Sequence, residues 1–127
     1  MAGRKTIIDG IKFDSKFEAG IYLYFKKNNI KILEFQPRFI LFDSFKYFNI
    51  KAGKEYKMRN MKYTADFKIE LPDNDKPVIV EVKGVQTEDY MMRKKLFIMK
   101  HKEEYDFLQI NNKKDLEFFN KYIEEEV

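Results

Sequence analysis

The 127-residue sequence contains no cysteine, no tryptophan and a single histidine, His101. The absence of cysteine excludes disulfide bonds, thiol catalysis and cysteine-ligated zinc, and it fits a reducing compartment such as a cytoplasm. A single histidine excludes histidine-rich metal sites and any catalytic dyad that requires two imidazole rings. If the protein is an enzyme, we therefore expect carboxylates and lysines to carry its chemistry.

Long apolar runs are also lacking, and none approaches the roughly 20 residues of a membrane-spanning helix. The N-terminus has no signal-peptide pattern, so we expect no membrane partner. Hydrophobic residues make up 44% of the chain, with 13 Phe and 8 Tyr, which is enough to form a core. We predict a single domain over residues 1–127.

The charges are unevenly distributed. Residues 1–62 contain 14 Lys and Arg against 6 Asp and Glu, whereas residues 63–127 contain 11 against 15. One basic segment is interleaved with aromatic residues, and its cations are Lys51, Lys54, Lys57, Arg59 and Lys62. Such a segment suits a polyanion with phosphates and exposed bases, which predicts a nucleic-acid-binding surface. A solvated loop or hairpin is the alternative interpretation.

Hydrophobic periodicity and turn residues predict a mixed order of elements. The predicted elements are a hairpin over 6–13, a helix over 15–27, a strand over 30–42 interrupted at Pro37, a basic loop or hairpin over 43–60, strands over 62–71 and 78–83, a helix over 87–102, a strand over 105–110 and a final amphipathic helix over 115–125. The predicted order of the main elements along the chain is helix, three strands, helix, strand, helix.

Charged residues occur at informative positions in two of these strands. Apolar and polar residues alternate over 61–71, which predicts a strand with one buried face and puts Asp66 on the other face. The strand over 78–83 is otherwise Val and Ile, but Glu81 and Lys83 share one of its faces. Burying such charges without compensation costs roughly several kcal/mol per ion. A cation bound by carboxylates, with a lysine beside it, would compensate this cost.

An acid on one strand followed by Glu-x-Lys on the next, within an αβββαβ order, resembles the PD-(D/E)XK nuclease superfamily. Asp66, Glu81 and Lys83 match its pattern, and Glu18 lies where many members carry an acid on the first helix. The proline that precedes the first acid in the PD-(D/E)XK pattern is replaced by Ala65 here, as in many relatives. The resemblance implies an α/β fold with a restriction-endonuclease-like core, in which helices flank a mixed central sheet, and a C-terminal helix.

Several short sequence segments are similar to those of one branch of the superfamily. Segments 13–18, 36–39, 63–67, 81–84 and 87–97 resemble small phage proteins described as Holliday-junction-resolvase-like endonucleases. The similarity covers residues 13–97, and transposon-end endonucleases share much of the pattern. It implies a Mg²⁺-dependent endodeoxyribonuclease that acts on branched DNA in phage recombination or DNA processing, in the cytoplasm of a bacterial host.

Phosphodiester hydrolysis requires an activated water and a counter-charge for the phosphate, which a carboxylate-bound divalent cation supplies. We expect Asp66 and Glu81 to be the principal ligands of Mg²⁺ or Mn²⁺, with the Val82 backbone carbonyl as a further oxygen. Glu18 would hold a second ion or one of its waters. Lys83 is expected to orient the attacking water or to contact the phosphate.

Each of these residues also has a structural interpretation. Glu18 follows Ser15 at the spacing of a capping box. Asp66 can be an ordinary solvent-side acid of a strand, and Glu81 and Lys83 can form a structural ion pair. Lys94, which we predict to contact phosphate from the helix after the second strand, can equally belong to a solvated helix face.

The predicted partner is DNA, branched or duplex. A four-way junction requires two symmetric cuts, which a C2 homodimer would supply. Two other functions stay open at this point. One is a non-catalytic DNA-binding or accessory module on the same fold, and the other is an endonuclease that cuts linear duplexes at transposon ends or in restriction.

Overall fold

A computed structural model describes residues 5–123 of the protein. Its strands are β1 (Thr6–Ile8), β2 (Ile11–Phe13), β3 (Lys31–Phe35), β4 (Arg38–Phe42), β5 (Phe45–Asn49), β6 (Lys54–Met58), β7 (Met61–Thr64), β8 (Phe67–Glu70), β9 (Val78–Val82) and β10 (Asp106–Ile110). Its helices are α1 (Lys16–Lys27), α2 (Glu88–His101) and a C-terminal 3₁₀ helix (Lys113–Tyr122).

The central sheet has four strands in the order β10-β9-β8-β3. β10 runs parallel to β9, whereas the other neighbouring pairs are antiparallel, so the sheet is mixed. Along the chain, α1, β3, β8, β9, α2 and β10 follow the predicted αβββαβ order, and the 3₁₀ helix comes last. The predicted α/β class with a mixed sheet and a C-terminal helix is confirmed.

Two apolar clusters cover the sheet. In the first, Phe25 of α1 contacts Phe67 of β8 and Phe119 of the 3₁₀ helix, with both ring-centroid distances at 5.3 Å. In the second, Phe97 of α2 contacts Tyr63 of β7 at 5.2 Å. Because β9 contributes buried side chains to both clusters, it is the central strand of the fold.

The continuous strand predicted over 62–71 is wrong, because the chain changes strand partners at Ala65 and Asp66. β7 pairs with β4, whereas β8 pairs with β3 and β9. The alternation of burial continues through the break, but Tyr63 lies in the cluster beneath α2 and Phe67 in the cluster beneath α1. The chain therefore passes from one layer to the other at Asp66.

The break on the partner strand explains this transition. Pro37 has no N–H group and cannot donate to a continuous ladder. Its carbonyl accepts from Ala65 N–H at 3.0 Å, and Gln36 N–H donates to the Asp66 carbonyl at 2.9 Å. Gln36 also has a positive φ of 49°. The two irregular points oppose each other, and strand pairing passes there from β4–β7 to β3–β8.

Two hairpins lie beside this core. The hairpin predicted over 6–13 is confirmed as β1 and β2, and its turn residues Asp9 and Gly10 both have positive φ, as a type I′ turn requires. The segment over 43–60 forms a second hairpin, in which β5 pairs with β6. The side chains of β5 and β6 are almost all exposed.

The C-terminal helix differs in type and in start from the α-helix predicted over 115–125. Asn112 and Asp115 form a reciprocal capping box, which starts the helix at Lys113. Side chains three residues apart coincide in a 3₁₀ helix, and this helix packs against the core through Leu116, Phe119 and Tyr122. Residues 124–125 of the prediction lie outside the described residues.

Candidate active site

The carboxyl groups of Asp66 and Glu81 are in direct contact. Asp66 lies where the chain passes between the two layers, and Glu81 is the last residue but one of β9. Their side chains are hydrogen-bonded to each other. Asp66 Oδ2 also accepts from the Val82 N–H at 2.6 Å, and Asp66 N–H donates to the Val80 carbonyl at 3.1 Å. The backbone of β9 therefore holds Asp66 beside Glu81.

Burial is the main cause of the unusual proton affinity of this pair. Glu81 is only 6% exposed, and burial together with the neighbouring Asp66 raises the pKa of Glu81 to about 9. Burial also raises the pKa of Asp66, while the hydrogen bonds from Glu81 and from the Val82 N–H oppose the rise. The two carboxyl groups therefore titrate as a coupled pair, and burial favours the protonated form of that pair.

Tyr63 completes the surroundings of Glu81. Its hydroxyl group donates to Glu81 Oε1 at 2.6 Å, and burial raises the pKa of the phenol, which keeps it a hydrogen-bond donor. Sequence reasoning assigned Tyr63 only to the buried face of the strand. Its position three residues before Asp66 was the available signal, but only the β7–β9 geometry shows what the hydroxyl group contacts.

Lys83 follows β9 directly, and its backbone N–H donates to the Ile110 carbonyl at 3.0 Å. Its Nζ lies 4.9 Å from the centroid of the Tyr90 ring, at a distance typical of a cation–π contact. The positive charge of Lys83 lowers the pKa of both Asp66 and Glu81, partly offsetting their burial. Lys83 therefore lines the same cavity as the carboxyl pair and acts on it electrostatically.

Glu18 approaches the pair from α1, where it is 5% exposed. Burial raises its pKa to about 7, and the charges of Asp66 and Asp14 contribute. Ser15 caps α1 by accepting from the Glu18 backbone N–H at 3.1 Å. The Glu18 carboxyl group instead accepts a hydrogen bond from the backbone of Asp14. Capping therefore accounts for the backbone of Glu18, whereas its side chain faces the acids.

These groups line one open cavity of about 430 Å³. Its charged lining residues are Asp14, Glu18, Asp66, Glu81, Lys83, Asp89 and Arg93. Sequence reasoning gave no site role to Asp14, Asp89 or Arg93; for Asp14, its position directly before the capping Ser15 was the available signal. Within residues 5–123, no three His, Asp or Glu side chains already surround a single point closely enough to hold a metal ion. The direct contact therefore involves the two carboxyl groups of Asp66 and Glu81, and the other acids line the cavity around them.

The predicted DNA-contacting residues fall into two groups. Lys51, Lys54, Lys57, Arg59 and Lys62 are exposed and lie on or just after the β5–β6 hairpin. Lys94 differs because it is half-buried. Its Nζ donates to Gln109 Oε1 at 2.8 Å and lies 5.3 Å from the Phe107 ring.

Comparison with known proteins adds a family. The family model described as protein of unknown function DUF1064 matches residues 1–117, and the chain belongs to this family. No curated protein and no solved structure matches the chain. Among residues 5–123, neither α-helix has the length and apolarity needed to cross a bilayer.

Proposed function

We propose that this protein is a divalent-metal-dependent endodeoxyribonuclease that hydrolyses DNA phosphodiester bonds and acts on branched DNA. The observation that supports this proposal is the contact between the Asp66 and Glu81 carboxyl groups, beside Lys83, in an open cavity. A buried acid pair of this kind is destabilising in itself. Perturbed acids of this kind concentrate at functional sites.

The donor set fits a hard divalent cation, because Mg²⁺ and Mn²⁺ prefer oxygen ligands. The raised pKa values of Asp66 and Glu81 show that two negative charges are disfavoured at this point, and a bound cation would offset their repulsion. Asp66 and Glu81 would hold the ion, with the Val82 carbonyl and Glu18 as further oxygens. When bound, the ion would supply a nucleophilic water and a counter-charge for the phosphate.

The protein's own groups supply the remaining steps. Tyr63 and the Val82 N–H hold the two carboxylates in position. Lys83 would orient the attacking water or donate to a phosphate oxygen, because it lines the same cavity as the carboxyl pair and its Nζ lies near the Tyr90 ring. Such a preorganised cation typically contributes about 100- to 1,000-fold to rate.

The exposed cations supply the contact with DNA. The hairpin leads directly into β7, which carries Tyr63 to the site, so the cations of 51–62 closely precede the site along the chain. Phosphate contacts of this kind give strong, salt-dependent binding. Cutting both sides of a four-way junction would require a homodimer with two such sites. Action in the cytoplasm of a bacterial host is part of the same proposal.

The test is a cleavage assay with Mg²⁺ or Mn²⁺ on matched four-way junction, flap, linear duplex and single-stranded DNAs. We expect branched DNA to be cut and Asp66→Asn or Lys83→Gln to lose cleavage at least 100-fold while retaining DNA binding. Glu70→Gln is the control, because Glu70 is an exposed acid on β8, four residues after Asp66. It should cleave like the wild type.

Other outcomes would assign other functions. Preferred cutting of linear duplexes would favour an endonuclease of transposon ends or restriction. DNA binding without cleavage in any divalent metal would indicate a non-catalytic accessory module. Wild-type cleavage by Asp66→Asn would remove the assignment of the site.

A further inference from the structure

The β5–β6 hairpin has two chemically different faces. Side chains alternate along each strand, and directly opposed residues share a face. Phe45 opposes Met58 and Tyr47 opposes Tyr56, which gives one aromatic and apolar face. On the other face, Lys46 opposes Lys57 and Phe48 opposes Glu55, so this face is mainly charged, with one aromatic ring.

We name the first surface the aromatic face and include Phe42, whose ring lies 6.0 Å from that of Phe45. Its side chains are exposed in the monomer: Phe42 39%, Phe45 48%, Tyr47 39%, Tyr56 40% and Met58 47%. The rings of Tyr47 and Tyr56 lie 6.3 Å apart at 83°. Lys54 Nζ lies 5.8 Å from the Tyr56 ring. Flat apolar rings and a cation are thus presented together.

We propose that the aromatic face stacks on unpaired bases of DNA, so that the substrate class is DNA with an unpaired segment beside a duplex. This inference rests on the proposed function for the cutting step, but the binding step can be tested without cleavage. Base–aromatic stacking tolerates any sequence, because every base has a π-face. Bases within a closed duplex are not available to such a surface.

Charge favours DNA over a second copy of the chain as the occupant. Residues 45–62 contain six Lys or Arg and one acid, Glu55. Joining two aromatic faces would bring two such segments together with almost no compensating acids. Like charges across an interface oppose association, whereas a polyanion is attracted by the same charges.

The exposed area of the aromatic face also favours DNA over a second copy of the chain. Side chains of this size present about 150–250 Å² each when fully exposed, so five at 39–48% exposure offer roughly 400 Å². A stable protein interface needs about 800 Å² per partner. The aromatic face is therefore too small for a stable dimer by itself, but it is large enough for a few bases.

The chain path relates this face to the carboxyl pair. Met58 ends β6, and Asp66 follows eight residues later through β7. At about 3.3 Å per residue, these residues are at most about 26 Å apart. One DNA strand rises about 3.4 Å per nucleotide. Stacked bases would therefore lie within about eight nucleotides of the cleaved phosphodiester.

The experiment measures fluorescence of 2-aminopurine placed in single-stranded DNA, in the unpaired arm of a flap, or in a closed duplex. EDTA is present, so that no cleavage occurs. We expect the wild type to quench the unpaired probes and to bind them at least tenfold more tightly than the duplex. In Tyr47→Leu/Tyr56→Leu, both the quenching and the tenfold preference should be lost.

Lys46→Gln/Lys57→Gln is the matched control on the opposite face. It should weaken binding to all the DNAs and reduce its salt dependence, while quenching at saturation remains. Equal binding of unpaired and duplex DNA by the wild type, without quenching, would overturn the inference. So would a dimer in sedimentation that the Tyr47→Leu/Tyr56→Leu variant abolishes while its DNA preference is unchanged.

The two assays distinguish failure of the proposed nuclease function from failure of base stacking on the aromatic face. A protein that quenches unpaired 2-aminopurine but cuts no DNA in any divalent metal supports the aromatic face and contradicts the nuclease. A protein that cuts branched DNA without quenching supports the nuclease and contradicts the aromatic face.

Discussion

The hydroxyl group of Tyr63 donates to Glu81 Oε1 at 2.6 Å, and both side chains are buried. Tyr63 comes from β7 and Glu81 from β9, two strands that do not pair with each other. The bond therefore links the β4–β7 pair to the central sheet, close to the point where Asp66 lies.

Tyr63→Phe tests this link. The hydrogen bond from Tyr63 lowers the pKa of Glu81, so its loss should raise that pKa further and make protons compete better with a cation. We expect Mn²⁺ binding, measured calorimetrically from about pH 6 to pH 9, to shift to higher pH. We also expect a loss of about 1–3 kcal/mol in the free energy of unfolding.

The control for this prediction is Tyr90→Phe. Tyr90 lines the same cavity, but its hydroxyl group donates to Gln109 and not to Glu81. The pH at which Mn²⁺ binds should be unchanged in Tyr90→Phe. An equal shift in both variants would show that the Tyr63–Glu81 bond has no special role.

The pH dependence of stability gives a second prediction, for the protein in EDTA. The pKa of Glu18 is about 7 in the folded state and 4.5 ordinarily, so the folded protein retains this proton to higher pH than the unfolded chain. Stability should therefore decrease as pH rises from about 5 to 7, by up to about 3 kcal/mol from this group. Chemical denaturation of wild type and Glu18→Gln measures the difference.

Because Glu18→Gln cannot ionise, its stability should decrease less over this range than that of the wild type. Glu81 contributes a decrease in the same direction that extends to higher pH, and it is present in both proteins. Glu70→Gln, at an exposed position, should retain the wild-type slope. Parallel curves for wild type and Glu18→Gln would contradict a raised pKa at Glu18.

Metal binding gives a third prediction. A ligand that binds only the folded state stabilises it by about 2.7 kcal/mol at 100 times its dissociation constant. We expect Mn²⁺ to raise the melting temperature of the wild type, more strongly at pH 8 than at pH 6, because protons compete for Asp66 and Glu81. Asp66→Asn should abolish this rise, and Glu70→Gln should retain it. A rise of equal size in Asp66→Asn would place the ion elsewhere.

Local patterns predicted the parts of the fold that depend on neighbouring residues. The cap at Ser15 and the apolar stripe of α1 lie within a few turns of one helix. The Val-rich run of β9 also marks a buried strand without reference to any partner. Glu81 could be selected as a site candidate for this reason, because a charge in such a run requires compensation.

The parts that were missed depend on residues distant in sequence. The break at Asp66 follows from the opposing break at Pro37, some 30 residues away, which periodicity within one segment does not contain. The hydrogen bond from Tyr63 to Glu81 and the position of Asp14 beside Glu18 likewise require the assembled sheet and helix. The nuclease function remains a proposal, since it rests on resemblance and on the geometry of the site.

The last prediction concerns how the C-terminal 3₁₀ helix is held. Phe119 is fully buried against Phe25 and Tyr24, whereas its neighbour Phe118 is 39% exposed. Phe119→Ala should lower the free energy of unfolding by about 3–5 kcal/mol, since it leaves a cavity in the core, and Phe118→Ala by less than about 1.5 kcal/mol. Urea denaturation of both variants measures the contrast. Because the two positions are adjacent, helix propensity changes equally in both, so similar losses would mean that Phe119 does not anchor this helix to α1.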